Sequence, residues 1–256
     1  MKSNCVFCGG VVNKYQKISV GWIYVCRNCE IGVTIPKPHV VPYFQDDFHE
    51  QFCVNSIDEL PRQWRNSILE QCKLIESNFD KDIKILEIGC GQGLMLKELQ
   101  NRGYDVEGLE PSLRASKIAR EKKLKIIVGY FPETKIKEKF DLIIISHVLE
   151  HIKNYKKFIK SLEKILKSNG CLLLTQTNYK GLIPKIQKEN WYAWVPEQHF
   201  WHFIPDGVIF LLNKFGFKKI KLIRSSLVHS LTPGTIIAEL FPVLGDQFHL
   251  LAKYEK

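Results

Sequence analysis

Ile83-Lys-Ile-Leu-Glu-Ile-Gly-Cys-Gly-Gln-Gly93 is the stretch that decides how this chain folds. Ile83 to Ile88 is a short apolar run of the kind buried on both faces of a parallel sheet. It breaks into glycines at every second position: Gly89, Gly91 and Gly93. Leu94 to Arg102 then takes helical spacing through Leu94, Leu96 and Leu99, and stops at Gly103, where a C-terminal glycine belongs. Strand, glycine turn and helix together make a place where backbone approaches a nucleotide-like ligand with no Cβ in the way. The dinucleotide pattern G-x-G-x-x-G needs a glycine at position 94, which is Leu94, so a ligand without a pyrophosphate is expected.

Working outward, Asp105–Leu109 reads as a second strand ending at Glu110. Glu110 stands roughly 20 residues beyond the turn, where an acid meets ribose hydroxyls. Pro111-Ser112 opens a helix with Ser112 as N-cap and Ala115, Ile118 and Ala119 on its buried face. Lys125–Val128 and Phe140–Ile145 are further strands. Phe158, Ile159, Leu162, Ile165 and Leu166 mark a helix expected to run to Gly170, followed by a strand over Cys171–Thr177. A helix over Pro205–Phe215 stops at Gly216, and a strand follows at Phe217–Ile223. Thr232-Pro233 opens another helix, and Phe248–Tyr254 is the last strand. Upstream, Trp64, Ile68, Cys72, Ile75 and Phe79 recur at helical spacing. Alternating strands and helices predict an α/β, doubly wound parallel sheet with right-handed crossovers.

Glu87-x-Gly-x-Gly-x-Gly followed by Glu110 resembles the class I S-adenosylmethionine-dependent methyltransferases, over roughly residues 55–256. The resemblance implies a seven-stranded Rossmann-like sheet whose last strand is antiparallel, with S-adenosylmethionine as methyl donor. It implies cofactor contacts from Glu87, Gly89, Gly91, Gly93, Glu110, Pro111 and Ser146. The expected plan is a methyltransferase domain over 81–256 and a linker and N-terminal helices over 36–80, while residues 1–35, a zinc ribbon on their cysteine spacing, lie outside the resemblance. Tyr43 and Phe44, in an aromatic and acidic stretch before the core, are candidates for a lid over the cofactor or for core packing.

In an open parallel sheet, ligands lie outside the carboxyl ends of the strands. That rule selects the loops Gly89–Gly93, Glu110–Ser112 and Ser146–His151. In the last, His147, Glu150 and His151 fall about one helical turn apart. Two imidazoles and a carboxylate serve either as a general base or as ligands for a divalent ion. The segment resembles the Leu-Glu-His run of small-molecule methyltransferases. In the quinone O-methyltransferases the matching segment is associated with metal, and His147 here replaces the acid expected there. Asn190–Phe203, with three tryptophans and two histidines, suits the wall of a substrate pocket. It resembles a Trp…Pro-Glu-x-His…His-Phe segment of uncharacterised bacterial methyltransferases found with polysaccharide and natural-product genes. That resemblance implies O-methylation of a sugar or other cell-surface polysaccharide precursor, with a phosphoryl oxygen as the alternative acceptor atom. His199 is the first candidate base from this loop, and His202 the second. Neither the Asn-Pro-Pro-Tyr motif of amino-methylating enzymes nor the Pro-Cys pair of cytosine-C5 enzymes occurs.

Cys5-x-x-Cys8 and Cys26-x-x-Cys29 are separated by 17 intervening residues, the spacing of a closed four-thiolate zinc site that supports folding and leaves no position open for chemistry. Cys53, Cys72, Cys90 and Cys171 read as small core residues. The chain has 256 residues and a formal net charge of +10. That charge raises the reading of an rRNA or tRNA base methyltransferase with a zinc ribbon. The densest lysines (153, 156, 157, 160, 164 and 167) instead fall on the polar side of one amphipathic helix and read as a solvated face, and the aromatic, histidine-rich loop argues for a small-molecule acceptor and against nucleic acid. A non-catalytic cofactor-binding protein is the third reading, opposed by Glu87, the glycines and Glu110. No apolar run reaches the ~20 residues needed to cross a bilayer, and the N-terminus lacks the apolar region of a signal peptide. A cytoplasmic protein is therefore expected.

Overall fold

The computed structural model describes residues 4–37, 54–226 and 241–255. Tyr43, Phe44, Cys53 and the helix expected at Thr232-Pro233 lie outside the described residues. The strands are β1 (Val12–Lys17), β2 (Trp22–Cys26), β3 (Gly32–Ile35), β4 (Lys84–Ile88), β5 (Asp105–Glu110), β6 (Lys125–Val128), β7 (Phe140–Ser146), β8 (Leu166–Thr177), β9 (Trp201–His202), β10 (Phe217–Ser225) and β11 (Gln247–Tyr254). The helices are α1 (Arg62–Glu76), α2 (Leu94–Asn101), α3 (Leu113–Glu121), α4 (Tyr155–Ile165), α5 (Leu182–Gln187) and α6 (Pro205–Asn213). Seven strands form one sheet in the order β10-β11-β8-β7-β4-β5-β6, and β1-β2-β3-β9 form a second. The larger sheet with its helices is the Rossmann-like arrangement expected from the glycine turn. The chain divides into two compact units, one of residues 44–148, 154–174 and 253–256, the other of residues 1–43, 149–153 and 175–252.

In the first unit β4 pairs in parallel on both sides, Ile88 aligning with Leu109 of β5 and with Ile145 of β7. A strand flanked this way has no solvated face, which is why Ile85, Leu86 and Ile88 are all buried. Helix α2 buries Met95, Leu96 and Leu99 and ends before Gly103, which takes φ +91°. Ser112 caps α3 as expected, its hydroxyl accepting from Ala115 N. All six lysines named above are exposed, while Phe158, Ile159, Leu162 and Ile165 are buried beneath them. One boundary differs from expectation. Helix α4 ends at Ile165, and residues 166–170 belong to β8. Leu166 turns extended at φ −84°, ψ 141° and its side chain remains buried. Inward-facing leucine satisfies helical and strand patterns alike, so periodicity carried the helix too far.

In the second unit, β2 pairs antiparallel with β1 and β3, and β3 pairs antiparallel with β9. Beneath this sheet Ile18 and Ile23 pack with Tyr179, Ile183, Trp191, Ala193, Trp194 and Ile204. The tryptophans expected to wall a pocket are core residues: Trp191 is 2% exposed, and Trp194 and Trp201 are also buried.

Candidate functional site

The glycine turn joins β4 to α2 with Gly89, Gly91 and Gly93 all at positive φ, +74°, +53° and +72°. A Cβ on Gly89 would meet Val148 Cγ2 at 2.7 Å, and one on Gly93 would meet Leu124 Cδ1 at 2.4 Å. The turn is pinned from the next strand. Gly89 N donates to Leu109 O at 2.8 Å, and Gly91 N donates to Glu110 Oε2 at 2.7 Å. Glu110 Oε1 accepts from Ser112 N at 2.8 Å, so one carboxylate ties the turn to the start of α3 across Pro111. Two oriented N–H donors fix the carboxylate plane, and each oxygen retains acceptor capacity. Ser146 closes β7 with its hydroxyl donating to Gln71 Oε1 at 3.0 Å. Gln71 is a site neighbour that sequence reasoning missed, because one polar residue on a helix carries no chemical signature.

Glu87 is buried and its Oε2 has no hydrogen-bond partner among the described residues. Burial, and then the charge of Glu110, pushes its carboxyl up to about 8. Burial also raises Glu110, while the amides of Ser112 and Gly91 pull it back. A raised carboxyl is neutral in the folded chain at a pH where the unfolded chain has already lost the proton. Stability of the ligand-free protein should therefore fall from about pH 5 to about pH 8, by at most ~1.4 kcal/mol per pH unit from this group. Urea titrations of wild type and Glu87→Gln across that window check this, since the variant should show a flatter dependence. Parallel curves would remove Glu87 as the cause.

The four cysteines of the second unit converge. Cys5 Sγ lies 3.5 Å from Cys29 Sγ, and Cys8 Sγ lies 3.4 Å from Cys26 Sγ. Sulfurs around one tetrahedral zinc stand about 3.8 Å apart, given Zn–S near 2.3 Å, so the cluster needs little adjustment to hold the ion. Gly10 N and Asn28 N point at the Cys8 and Cys26 sulfurs, each at 3.4 Å, and stabilise thiolate. The Cys29 thiol beside Cys5 holds the Cys5 sulfur well below the ordinary thiol range and is itself pushed up.

A second group gathers Glu150, His151 and His199, their ligating atoms all within 4.8 Å of one another. Glu150 and His151 come from a single 3-10 turn, Leu149–His151. Glu150 Oε2 accepts from Gln176 Nε2 at 2.7 Å, and Glu150 O accepts from Phe200 N at 2.8 Å. The rings of His151 and His199 meet edge to face with centroids 4.7 Å apart. His199 Nδ1 lies 3.0 Å from Ala193 O, and His151 Nδ1 lies 3.3 Å from Gln198 O. A carbonyl only accepts, so in these two contacts each Nδ1 is the donor. His147 precedes this turn in the left-handed region at φ +53° and is not a member of the group. His202 is buried, and burial followed by His199 holds it well below the usual imidazole range, so it is neutral. Gln176 went unnoticed in the sequence, although its place at the carboxyl end of β8 was a signal.

The family model that matches residues 58–222 is described as a methyltransferase domain. The chain belongs to the methyltransferase-domain family. This methyltransferase-family chain is 31% identical over 153 residues to a ubiquinone biosynthesis O-methyltransferase of Pelagibacter ubique, covering 57% of this chain and 61% of that protein. It thus spans about three-fifths of that relative's length. Among solved structures it resembles a magnesium protoporphyrin IX methyltransferase of Synechocystis with bound S-adenosylhomocysteine. The TM-score is 0.60 at 13% identity, over 82% of this chain and 94% of the other. It also resembles a possible histamine N-methyltransferase of Thermotoga maritima, at TM-score 0.59 and 18% identity, over 74% and 89% of the two chains. At such identities the structural likeness speaks to fold, and the fold is that of the class I S-adenosylmethionine-dependent methyltransferases. No helix among the described residues is long and apolar enough to cross a membrane.

Proposed function

We propose that the protein transfers a methyl group from S-adenosylmethionine to an oxygen of a small-molecule acceptor. The observation that carries the reading is the Glu150, His151 and His199 group, in which two imidazole rings gather beside a carboxylate. A proton-accepting group of this kind suits a hydroxyl that must lose its proton as the new bond forms. The relatives named for ubiquinone biosynthesis O-methylation support small-molecule oxygen chemistry. A sugar or other cell-surface polysaccharide precursor is the acceptor class drawn from the Asn190–Phe203 segment, and phenols are the class drawn from the relatives. Assays of sugar nucleotides beside catechols with labelled donor separate the two classes. Transfer to structured RNA alone would replace the proposal.

The residues around the glycine turn fit the donor. Glu87 offers a buried, unpartnered oxygen, and the turn approaches closely where a Cβ would collide. When bound, S-adenosylmethionine supplies a methyl group already activated on a sulfonium sulfur. Glu110 would hold the ribose hydroxyls, and Glu87 the cationic end. His199, with His151, would take the acceptor's proton on Nε2 as the acceptor oxygen gains the methyl group and the carbon–sulfur bond breaks. Glu150 orients and offsets the imidazolium that results. The alternative use of the same three residues is to hold a divalent ion: one carboxylate and two nitrogens with their Nδ1 protons on backbone carbonyls suit zinc, iron or manganese better than magnesium.

The cysteine group would carry a structural zinc. Metal analysis should find one zinc per chain held by the cysteines, lost on Cys26→Ser. Structural zinc is coupled to folding, so chelation should release order in residues 4–37 first, visible by hydrogen exchange. A metal-free protein with protected amides in β1–β3 would show the assignment wrong.

A further inference from the structure

The N-terminal sheet closes on the histidine segment. Its fourth strand, β9, contains His202, which aligns with Gly32 of β3, while Trp201 aligns with Val33. A Cβ on Gly32 would stand 3.0 Å from His202 Cβ, so the two strands meet with no room to spare. Thr34 is 0% exposed and sits at the junction. Its N–H donates to Phe200 O at 3.2 Å, its hydroxyl donates to His199 O at 2.7 Å, and the same hydroxyl lies 2.9 Å from His202 Nε2. A threonine hydroxyl has one proton, and His199 O takes it. His202 must therefore donate Nε2–H to Thr34 Oγ1, which leaves its own lone pair on Nδ1. Positions 199, 200 and 202 of the loop are thus held by the backbone and side chain of one residue.

We propose that Thr34 is the positioning residue of the histidine group, and that the four-cysteine sheet serves as the template on which this part of the acceptor site is built. This rests on the reading of His199 as proton acceptor, but not on which acceptor is methylated. The cysteine pairs secure β2 and the turn leading into β3, from which Thr34 projects. The N-terminal sheet accordingly works on the chain's own catalytic segment, with no need of a nucleic acid or a second protein to give it a purpose. Val at position 34 would preserve shape and remove both hydroxyl bonds. Serine would keep them.

The experiment compares wild type, Thr34→Val and Thr34→Ser in the full chain with its metal retained. Two readouts are taken: nitrogen-15 imidazole spectra, assigned through His199→Gln and His202→Gln, and methyl-transfer kinetics on whichever acceptor proves active. In T34V the His202 Nε2–H signal should be displaced or lost, and kcat should fall about ten- to a hundredfold, as for a reacting group misplaced by up to an ångström. Donor affinity should stay within about twofold. T34S should restore both the spectrum and the rate. Unmoved imidazole signals in T34V would overturn the proposal. Should T34V fail to fold, T34S decides: wild-type His202 and His199 signals support the joint, and displaced signals overturn it. Failure of the base reading shows separately, as nearly full activity in His199→Gln, and leaves the spectra as the arbiter of Thr34.

Discussion

His199→Ala is expected to lower kcat by about 10²–10⁴-fold while affinity for S-adenosylmethionine stays nearly unchanged. The size follows from general-base catalysis, in which a placed imidazole takes a proton that water would otherwise have to accept. The placement is what the structure supplies. His199 is buried, its Nδ1 lies 3.0 Å from Ala193 O, and a ring nitrogen of His199 lies within 4.8 Å of the His151 and Glu150 ligating atoms. Added imidazole should restore part of the lost rate in the alanine variant, since the cavity left behind fits that ring. Gln176→Leu should cost less, because it removes only the amide that holds Glu150. If His147, His151, His199 and His202 can each be replaced with under about tenfold loss, no histidine acts as base. The acceptor would then have to ionise unaided, which points to a phosphoryl oxygen and away from a hydroxyl.

Glu110→Ala is expected to weaken S-adenosylmethionine about ten- to a hundredfold by calorimetry. A hydrogen bond to a charged group is worth about 1.5–3 kcal/mol, and each 1.4 kcal/mol is about tenfold in affinity. The structure adds a second source of loss. The same carboxylate accepts from Gly91 N and Ser112 N, so its removal also frees the glycine turn and the cap of α3. Glu110→Gln separates the two, because it retains one acceptor oxygen while giving up the charge, and should fall between wild type and alanine. Equal affinity in all three proteins would sink the ribose-anchor assignment.

How far the sequence could be read depended on whether a feature was local. Ile83–Gly93 was legible because a doubly buried strand must be continuously apolar and its turn must be glycine, and both constraints act on consecutive residues. The paired cysteines were legible for the same reason, since each pair lies within one tight turn. The Leu166 boundary was not, because an inward leucine serves helix and strand equally. The roles of Trp191 and Trp194 were not legible either. Their neighbours Ile18 and Ile23 sit far away in sequence, and nothing local distinguishes a buried tryptophan from one lining a cleft. Gln176, Gln71 and Thr34 escaped because a lone polar residue gains meaning only from its partner across the fold.

The measurement that bears most directly on the account is hydrogen exchange of the full chain with and without saturating S-adenosylhomocysteine. The account predicts slower exchange concentrated in residues 84–93 and 105–116, where the glycine turn, Glu110 and the start of α3 lie, and loss of that protection in Glu110→Ala. Unaltered exchange in both segments at saturating ligand, or protection confined to other parts of the chain, would contradict it.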